Sequence, residues 1–309
     1  MLPPQDLYEL TADAFARTPD QVPADPVLVH ALDGFVDAGS AAALATGHLL
    51  AELPSRVVAR FDADQLVDYR SRRPRMTFSS DRFTAADMPE ILLHEVRLPD
   101  SSVMYLLVGP EPDTQWERFA AAVRSLVETL GVRLVVGLHG IPWAAPHTRP
   151  IGLTPHASER SLIAGRPRWV GDVDVPGHVG ALLELRLGEA GHPSMGFTAH
   201  VPHYLAATEF PPAAVALLEA LSDTVGVELP TQALRDAGLA VLAQVDAQVT
   251  DSPDTLEAVR GLERQYDAVV AGRTLAGPGL MGPSLPEDEM PDADELAADV
   301  EQFLRDLGT

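Results

Sequence analysis

Short apolar runs alternating with helical stretches constrain this chain more than any other feature. Pro26–Leu32 (PVLVHAL) and Leu134–Leu138 (LVVGL) are apolar on both alternating faces, as strands buried on both sides must be. Arg56–Phe61 and Ser194–Val201 read as further strands. Glu90–Leu98 and Ser102–Val108 read as two adjacent strands joined at Pro99-Asp100. Helical patterns fall between them. Ala41–Leu53 is rich in Ala and Leu. Thr114–Leu130 places Trp116, Phe119, Val123, Leu126, Val127 and Leu130 on one face and stops at Gly131. Arg168–Val175 is short and β-like, and Gly177–Ala190 is a helix. This alternation predicts an α/β fold, a three-layer α/β/α sandwich with a largely parallel sheet.

Near residue 205 the character changes. Ala213–Val225, Thr231–Val249 and Asp254–Ala271 are consecutive helical patterns, and Ser252-Pro253-Asp254 is a helix start signal. The expected organisation is a sandwich domain over 1–205, completed by a terminal helix over 292–309. A helical subdomain over 206–275 and a Gly/Pro/acidic linker over 276–291 stand between them. Residues 62–87 are read as loop-rich and carry the arginines Arg70, Arg72, Arg73 and Arg75. At 309 residues the chain has room for one large domain and a satellite.

What is missing narrows the chemistry. The chain has no Cys, no Lys and no Asn, and every one of its 22 basic residues is Arg. A bias against AT-rich codons accounts for these gaps. Their chemical consequence holds regardless of cause. Thiol nucleophiles, disulfides, Cys-type zinc sites, a P-loop lysine and a Schiff-base lysine are all excluded. The net charge of −23 opposes nucleic acid and anionic membrane as partners. No apolar run is long enough to span a bilayer, and Met1–Asp20 lacks the pattern of a secretory signal, so a cytoplasmic location is expected.

Candidate site residues cluster at the ends of the strands, where an open α/β sheet places a ligand. Asp33, Gly34 and Asp37 follow the first buried strand. The two aspartates can serve as an acid–base pair, or as turn and helix-capping residues. Gly109 closes the strand before Pro110. His139 ends the run at 134–138, and the proline-rich loop after it carries Trp143, His147, Arg149 and His156. Arg149 can clamp a phosphate or carboxylate, or pair with an acidic residue of the chain itself. His203 follows the strand at 194–201. Seven of the ten histidines lie between His139 and His203, but no HExxH or HxH spacing occurs, so neither a metal nor a cofactor is expected. Ser40 has no G-x-S-x-G context.

Several segments together resemble a known family. DGFVDAGSAA, VVGLHGIPWAAPHTRP, HVPHYLAATEFPPAA and AGPGLMGPSLPE look like the actinobacterial branch of the proteasome assembly chaperone 2 family, over roughly Pro26 to Leu307. The resemblance implies a fold similar to purine nucleoside phosphorylases and related hydrolases, with a helical C-terminal elaboration. It also implies homo-oligomers, with a trimer expected. Eukaryotic relatives chaperone assembly of proteasome α-rings, and some dock through a tail of hydrophobic residue, Tyr, then any residue. This chain ends Asp306-Leu307-Gly308-Thr309, without that Tyr. No phosphate- or base-binding residue of a phosphorylase matches a position here.

Two functions are therefore expected. The first is a non-enzymatic, homo-oligomeric assembly or interaction factor acting on proteasome subunits. The alternative is an enzyme binding a nucleoside- or phosphate-type small molecule. Its site, at the C-terminal strand ends, would draw on Asp33, Gly34, Asp37, Gly109, His139, His147, Arg149 and His203.

Overall fold

The structure is a computed structural model that describes residues 3–11, 25–169, 171–276 and 280–281. In chain order the strands are β1 (Tyr8–Leu10), β2 (Val27–Asp33), β3 (Ser55–Phe61), β4 (Arg75–Ser79), β5 (Arg82–Asp87), β6 (Ile91–Arg97), β7 (Val103–Pro110), β8 (Leu134–Trp143), β9 (Leu153–Ala157), β10 (Arg168–Trp169), β11 (Ser194–Pro202) and β12 (Leu280–Met281). The helices are α1 (Ala41–Glu52), α2 (Ala63–Leu66), α3 (Trp116–Leu130), α4 (Val179–Glu189), α5 (Pro211–Val225), α6 (Gln232–Asp251) and α7 (Pro253–Ala276).

Eight strands form one sheet in the order β1-β3-β6-β7-β2-β8-β11-β9. Its centre, β7-β2-β8-β11, is parallel. Its flanks are antiparallel. The sheet is thus mixed where a largely parallel one is expected. The turn at Pro99-Asp100 is too short for a parallel crossover, so β6 and β7 must pair as a hairpin.

Strand parity sorts the core into two layers. Val27, Val29 and Ala31 of β2, Val136 and Leu138 of β8, and Phe197, Ala199 and Val201 of β11 pack with α1 and α5. Leu28, Val135, Tyr105 and Leu107 point the other way and pack with α3 and α4. Helices therefore cover both faces of the sheet. Because α5 buries Ala213, Leu217 and Leu221 in the same cluster as β2, β8 and β11, the core runs on across residue 206. Beyond it, α6 and α7 lie together around Val245, Val249 and Val259.

The segment over 62–87, read as loop-rich, holds α2 and the β4–β5 hairpin. Both hairpin strands are exposed along their whole length, so burial imprints no alternation on their sequence. The expected terminal helix lies outside the described residues. Among the described residues no helix is long and apolar enough to cross a membrane.

Candidate functional site

The sheet face beneath α4 carries a histidine cluster. His30 shares the parity of Leu28 on β2, and His139 shares that of Val135 on β8. His156 on β9 lies opposite Gly196 of β11, and Thr198 of β11 lies opposite His139. His139 packs against Gly180 of α4 and His156 against Glu184 of the same helix, which begins at its cap residue His178. The His139 ring is 5.7 Å from that of His30, 5.9 Å from that of His156 and 4.8 Å from that of His178, centroid to centroid.

Glycines make the space for these rings. A Cβ at Gly137 would lie 2.8 Å from His30 Cε1, and one at Gly180 2.6 Å from His139 Cε1. A Cβ at Gly196 would touch His156 Cε1. Strands and helix can approach the imidazoles only because these three positions lack side chains.

Electrostatics hold the inner members neutral. His30 is 1 % exposed, and burial pushes its pKa down to about 3, with His178 and His156 adding to the effect. Burial likewise carries His139 well below the ordinary range, reinforced by His30, His178 and His156. His178 is lowered by burial against the opposing pull of Glu111. Its Nδ1 accepts the Ala181 N–H at 3.3 Å, which places any ring proton on Nε2.

Two carboxylates frame the cluster. Glu111, from the loop after β7, accepts the Val179 N–H at the start of α4 at 2.7 Å and the Phe35 N–H at 3.4 Å. It thereby ties the α4 terminus to the loop after β2. Glu184 of α4 lies 2.7 Å from His156 Nδ1, and His156 Nε2 lies 3.3 Å from Thr198 Oγ1.

The residues expected from sequence divide among separate places. Asp33 ends β2, where burial raises its carboxyl pKa against the opposing Arg72 guanidinium. Asp37 caps α1, accepting the Ala42 N–H at 2.7 Å and the Ala43 N–H at 3.2 Å. Burial nonetheless raises its pKa. Gly34 packs against the Glu111 side chain. At a φ of 130°, Gly109 lets β7 approach β6, and a Cβ there would lie 2.8 Å from the Ile91 Cα. Of the expected set, only His139 belongs to the histidine cluster.

His147 and Arg149 lie instead against the helical stretch, and His203 lies beside Tyr204. His147 Nε2 is 3.0 Å from Asp246 of α6, and its Nδ1 is 2.6 Å from the Tyr204 hydroxyl. That hydroxyl also accepts the His147 N–H at 2.9 Å. His203 stacks edge-on against Tyr204. Arg149 makes two 2.8 Å bonds to Asp267 and one of 3.2 Å to Glu263, both on α7. Its guanidinium is therefore engaged by the chain's own acids. Among the described residues no group of three or more His, Cys, Asp or Glu could hold a metal ion.

The sequence reading missed His30, His178, Thr198, Glu111 and Glu184, and it placed His156 on the proline-rich loop without counting it among the site residues. One signal was available: His30 occupies a position whose strand neighbours at the same parity, Leu28 and Leu32, face the α3/α4 layer.

Comparison with known proteins places this architecture. The PAC2 family model matches residues 31–249. A Mycobacterium tuberculosis protein of unknown function is 47% identical, with a TM-score of 0.79, covering 86% of this chain and 90% of that one. A proteasome-assembly chaperone homologue from the same organism is 26% identical, with a TM-score of 0.70 over 75% of this chain and 99% of its own. A Pyrococcus furiosus proteasome activator, at 16% identity and a TM-score of 0.58 over 78% of this chain and 99% of its own, shares the fold. No curated protein matches.

Proposed function

We propose, because this chain belongs to the PAC2 family, that it is a chaperone-like assembly factor that works as a homo-oligomer on proteasome subunits. The observation carrying this reading is the match to the M. tuberculosis proteasome-assembly chaperone homologue over 99% of that protein's length. The role requires surfaces rather than chemistry.

The β4–β5 hairpin supplies such a surface. Met76, Phe78 and Phe83 are 53%, 59% and 65% exposed, with the two Phe rings packed edge to face. Large apolar side chains grouped on an exposed ribbon mark an interaction site. We assign the hairpin to contact between copies of this chain, which is how it supports the homo-oligomer.

The test combines two measurements. Purified chain is mixed with separately expressed proteasome α- and β-type subunits, and half-proteasome formation is followed on native gels. Faster or more complete assembly is expected. Unchanged assembly, with no complex detected by sedimentation, would overturn the assembly role. Phe78→Ser with Phe83→Ser should lower the sedimenting mass toward that of one chain, and an unchanged mass would remove the hairpin from the contact.

A further inference from the structure

Glu184, His156 and Thr198 reach one another from three separate elements. In the β9–β11 ladder His156 is opposite Gly196, and Thr154 is opposite Thr198. His156 and Thr198 are therefore diagonal neighbours on one face, close enough for an imidazole to span. Gly196 leaves the space beneath the ring open. From above, α4 lowers Glu184 onto the far edge of the same ring.

The order of contacts is specific. A carboxylate oxygen sits 2.7 Å from Nδ1, and a hydroxyl oxygen sits 3.3 Å from Nε2. With the Nδ1 proton donated to Glu184, the Nε2 lone pair faces Thr198, whose hydroxyl becomes the donor. That is the arrangement in which an imidazole takes a proton from a nucleophilic hydroxyl. His139 stacks on His156 with 24° between the ring planes, which holds the ring's orientation. The His156 side chain is 35% exposed and that of Glu184 16%, so the base is reachable from outside while its carboxylate is sheltered.

A second acid–imidazole–hydroxyl series, Asp246–His147–Tyr204, makes a useful contrast. There the imidazole side chain is only 1% exposed, and the hydroxyl is additionally engaged by the His147 N–H. Burial also pushes the Tyr204 pKa up to about 12. That series braces α6 against the loop after β8. The series at Thr198 has neither restriction on its imidazole: the ring is partly open and the hydroxyl is aliphatic.

We propose that Thr198, His156 and Glu184 form an acyl-transfer site for a carboxylic ester or amide, a function separate from the assembly role. Thr198 Oγ forms a bond to the acyl carbon, and its proton passes to His156 Nε2. The bond to the leaving oxygen or nitrogen breaks, and that atom receives the proton from His156. Water, deprotonated by His156, then attacks the acyl-threonine ester. Thr198 leaves as its alkoxide, recovers the proton, and the carboxylic acid is released. Thr198 is the nucleophile and His156 the general base, and Glu184 is a positioning residue.

The probe is an alkyl fluorophosphonate, incubated with the full chain and read by intact and peptide mass. Oγ–P bond formation with loss of fluoride is expected on the peptide carrying Thr198. Thr198→Val, nearly isosteric, should lower the labelling rate about 100-fold or more, and Thr198→Ser should restore it. Glu184→Gln should slow labelling about tenfold or more at unchanged melting temperature, with Glu184→Asp recovering part of the rate. A folded wild-type chain that takes no label overturns the proposal. So does a label elsewhere that survives Thr198→Val. Glu184→Gln labelling at the wild-type rate would remove the carboxylate from its positioning role.

Discussion

Acid should destabilise this protein through its buried histidines, and His30 allows the effect to be sized. Its pKa is about 3 in the fold against 6.5 for the free side chain. The folded state therefore resists a proton that the unfolded state accepts. Above 6.5 neither state is protonated and the group adds no pH dependence. Below 6.5 the unfolded chain takes up the proton first, so stability falls with pH until the folded group titrates near 3. The slope for one such group is about 1.4 kcal/mol per pH unit. Going from pH 7 to pH 5 crosses about 1.5 units below the free value, so His30 alone removes about 2 kcal/mol. Among the described residues its Nδ1 has no hydrogen-bond partner, so no bond at that atom offsets the desolvation. His139, lowered in the same direction for the same reason, adds to the slope.

The assay is urea denaturation at pH 7 and pH 5 for the wild type and for His30→Leu. Asp33 and Asp37 have raised pKa values and oppose the trend at the acidic end, but they are common to both proteins and cancel in the difference. The variant should lose about 2 kcal/mol less than the wild type between the two pH values. Equal losses in the two proteins would refute the claim that His30 is held neutral by burial.

Three smaller perturbations probe the frame. Glu111→Ala strips the acceptor from the Val179 and Phe35 N–H groups and should cost about 1–3 kcal/mol in denaturation experiments; a cost near zero would mean that α4 is anchored elsewhere. Gly39 has a φ of 67°, and a Cβ there would lie 3.0 Å from Phe210 Cβ, so Gly39→Ala should cost about 1–3 kcal/mol. Gly47→Ala, within α1 and with nothing within 4 Å, should instead stabilise by up to about 1 kcal/mol, and like signs for the two would contradict the packing argument. Arg149→Ala removes a solvent-screened ion pair, so stability should barely change while amide exchange along α7 accelerates; unaltered exchange would show that Asp267 and Glu263 are not what holds α7.

The sequence disclosed what burial imprints on it and little else. Strands β2 and β8 were legible because both faces are covered, and α3 because Phe119, Val123, Leu126 and Val127 are buried in one stripe. The β4–β5 hairpin was not, since exposed positions are free of pattern. Asp37 and Arg149 show a different limit. Capping and ion pairing were the plainer of the two readings each residue allowed, and the structure gives them those partners. The Glu184–His156–Thr198 contacts were beyond reach because His156 and Thr198 are 42 positions apart and meet only through the β9–β11 register.

The two faces of the sheet differ in a way that bears on why the histidines persist. Against α1 and α5 the strands present an unbroken apolar surface, from Val27 to Val201. Against α4 the same strands turn polar at His30, His139, Ser194, Thr198 and His200, while Leu28 and Val135 on that side are apolar. Uniform apolar packing would be more stable there, since replacing a buried polar cluster with well-fitted aliphatic side chains removes the desolvation cost. Gly137, Gly180 and Gly196 would then have no rings to accommodate and could carry side chains. A fold that keeps three glycines and an acid-labile cluster on one face, opposite a fully apolar one, is spending stability at a single place. That concentration is what a site requires and what a simple scaffold does not. The comparison of His30→Leu, which relieves the cost, with Thr198→Val, which removes the hydroxyl, separates the two. If the cluster serves only the fold, both variants should leave fluorophosphonate labelling absent or unchanged, and if it serves chemistry, only Thr198→Val should abolish labelling.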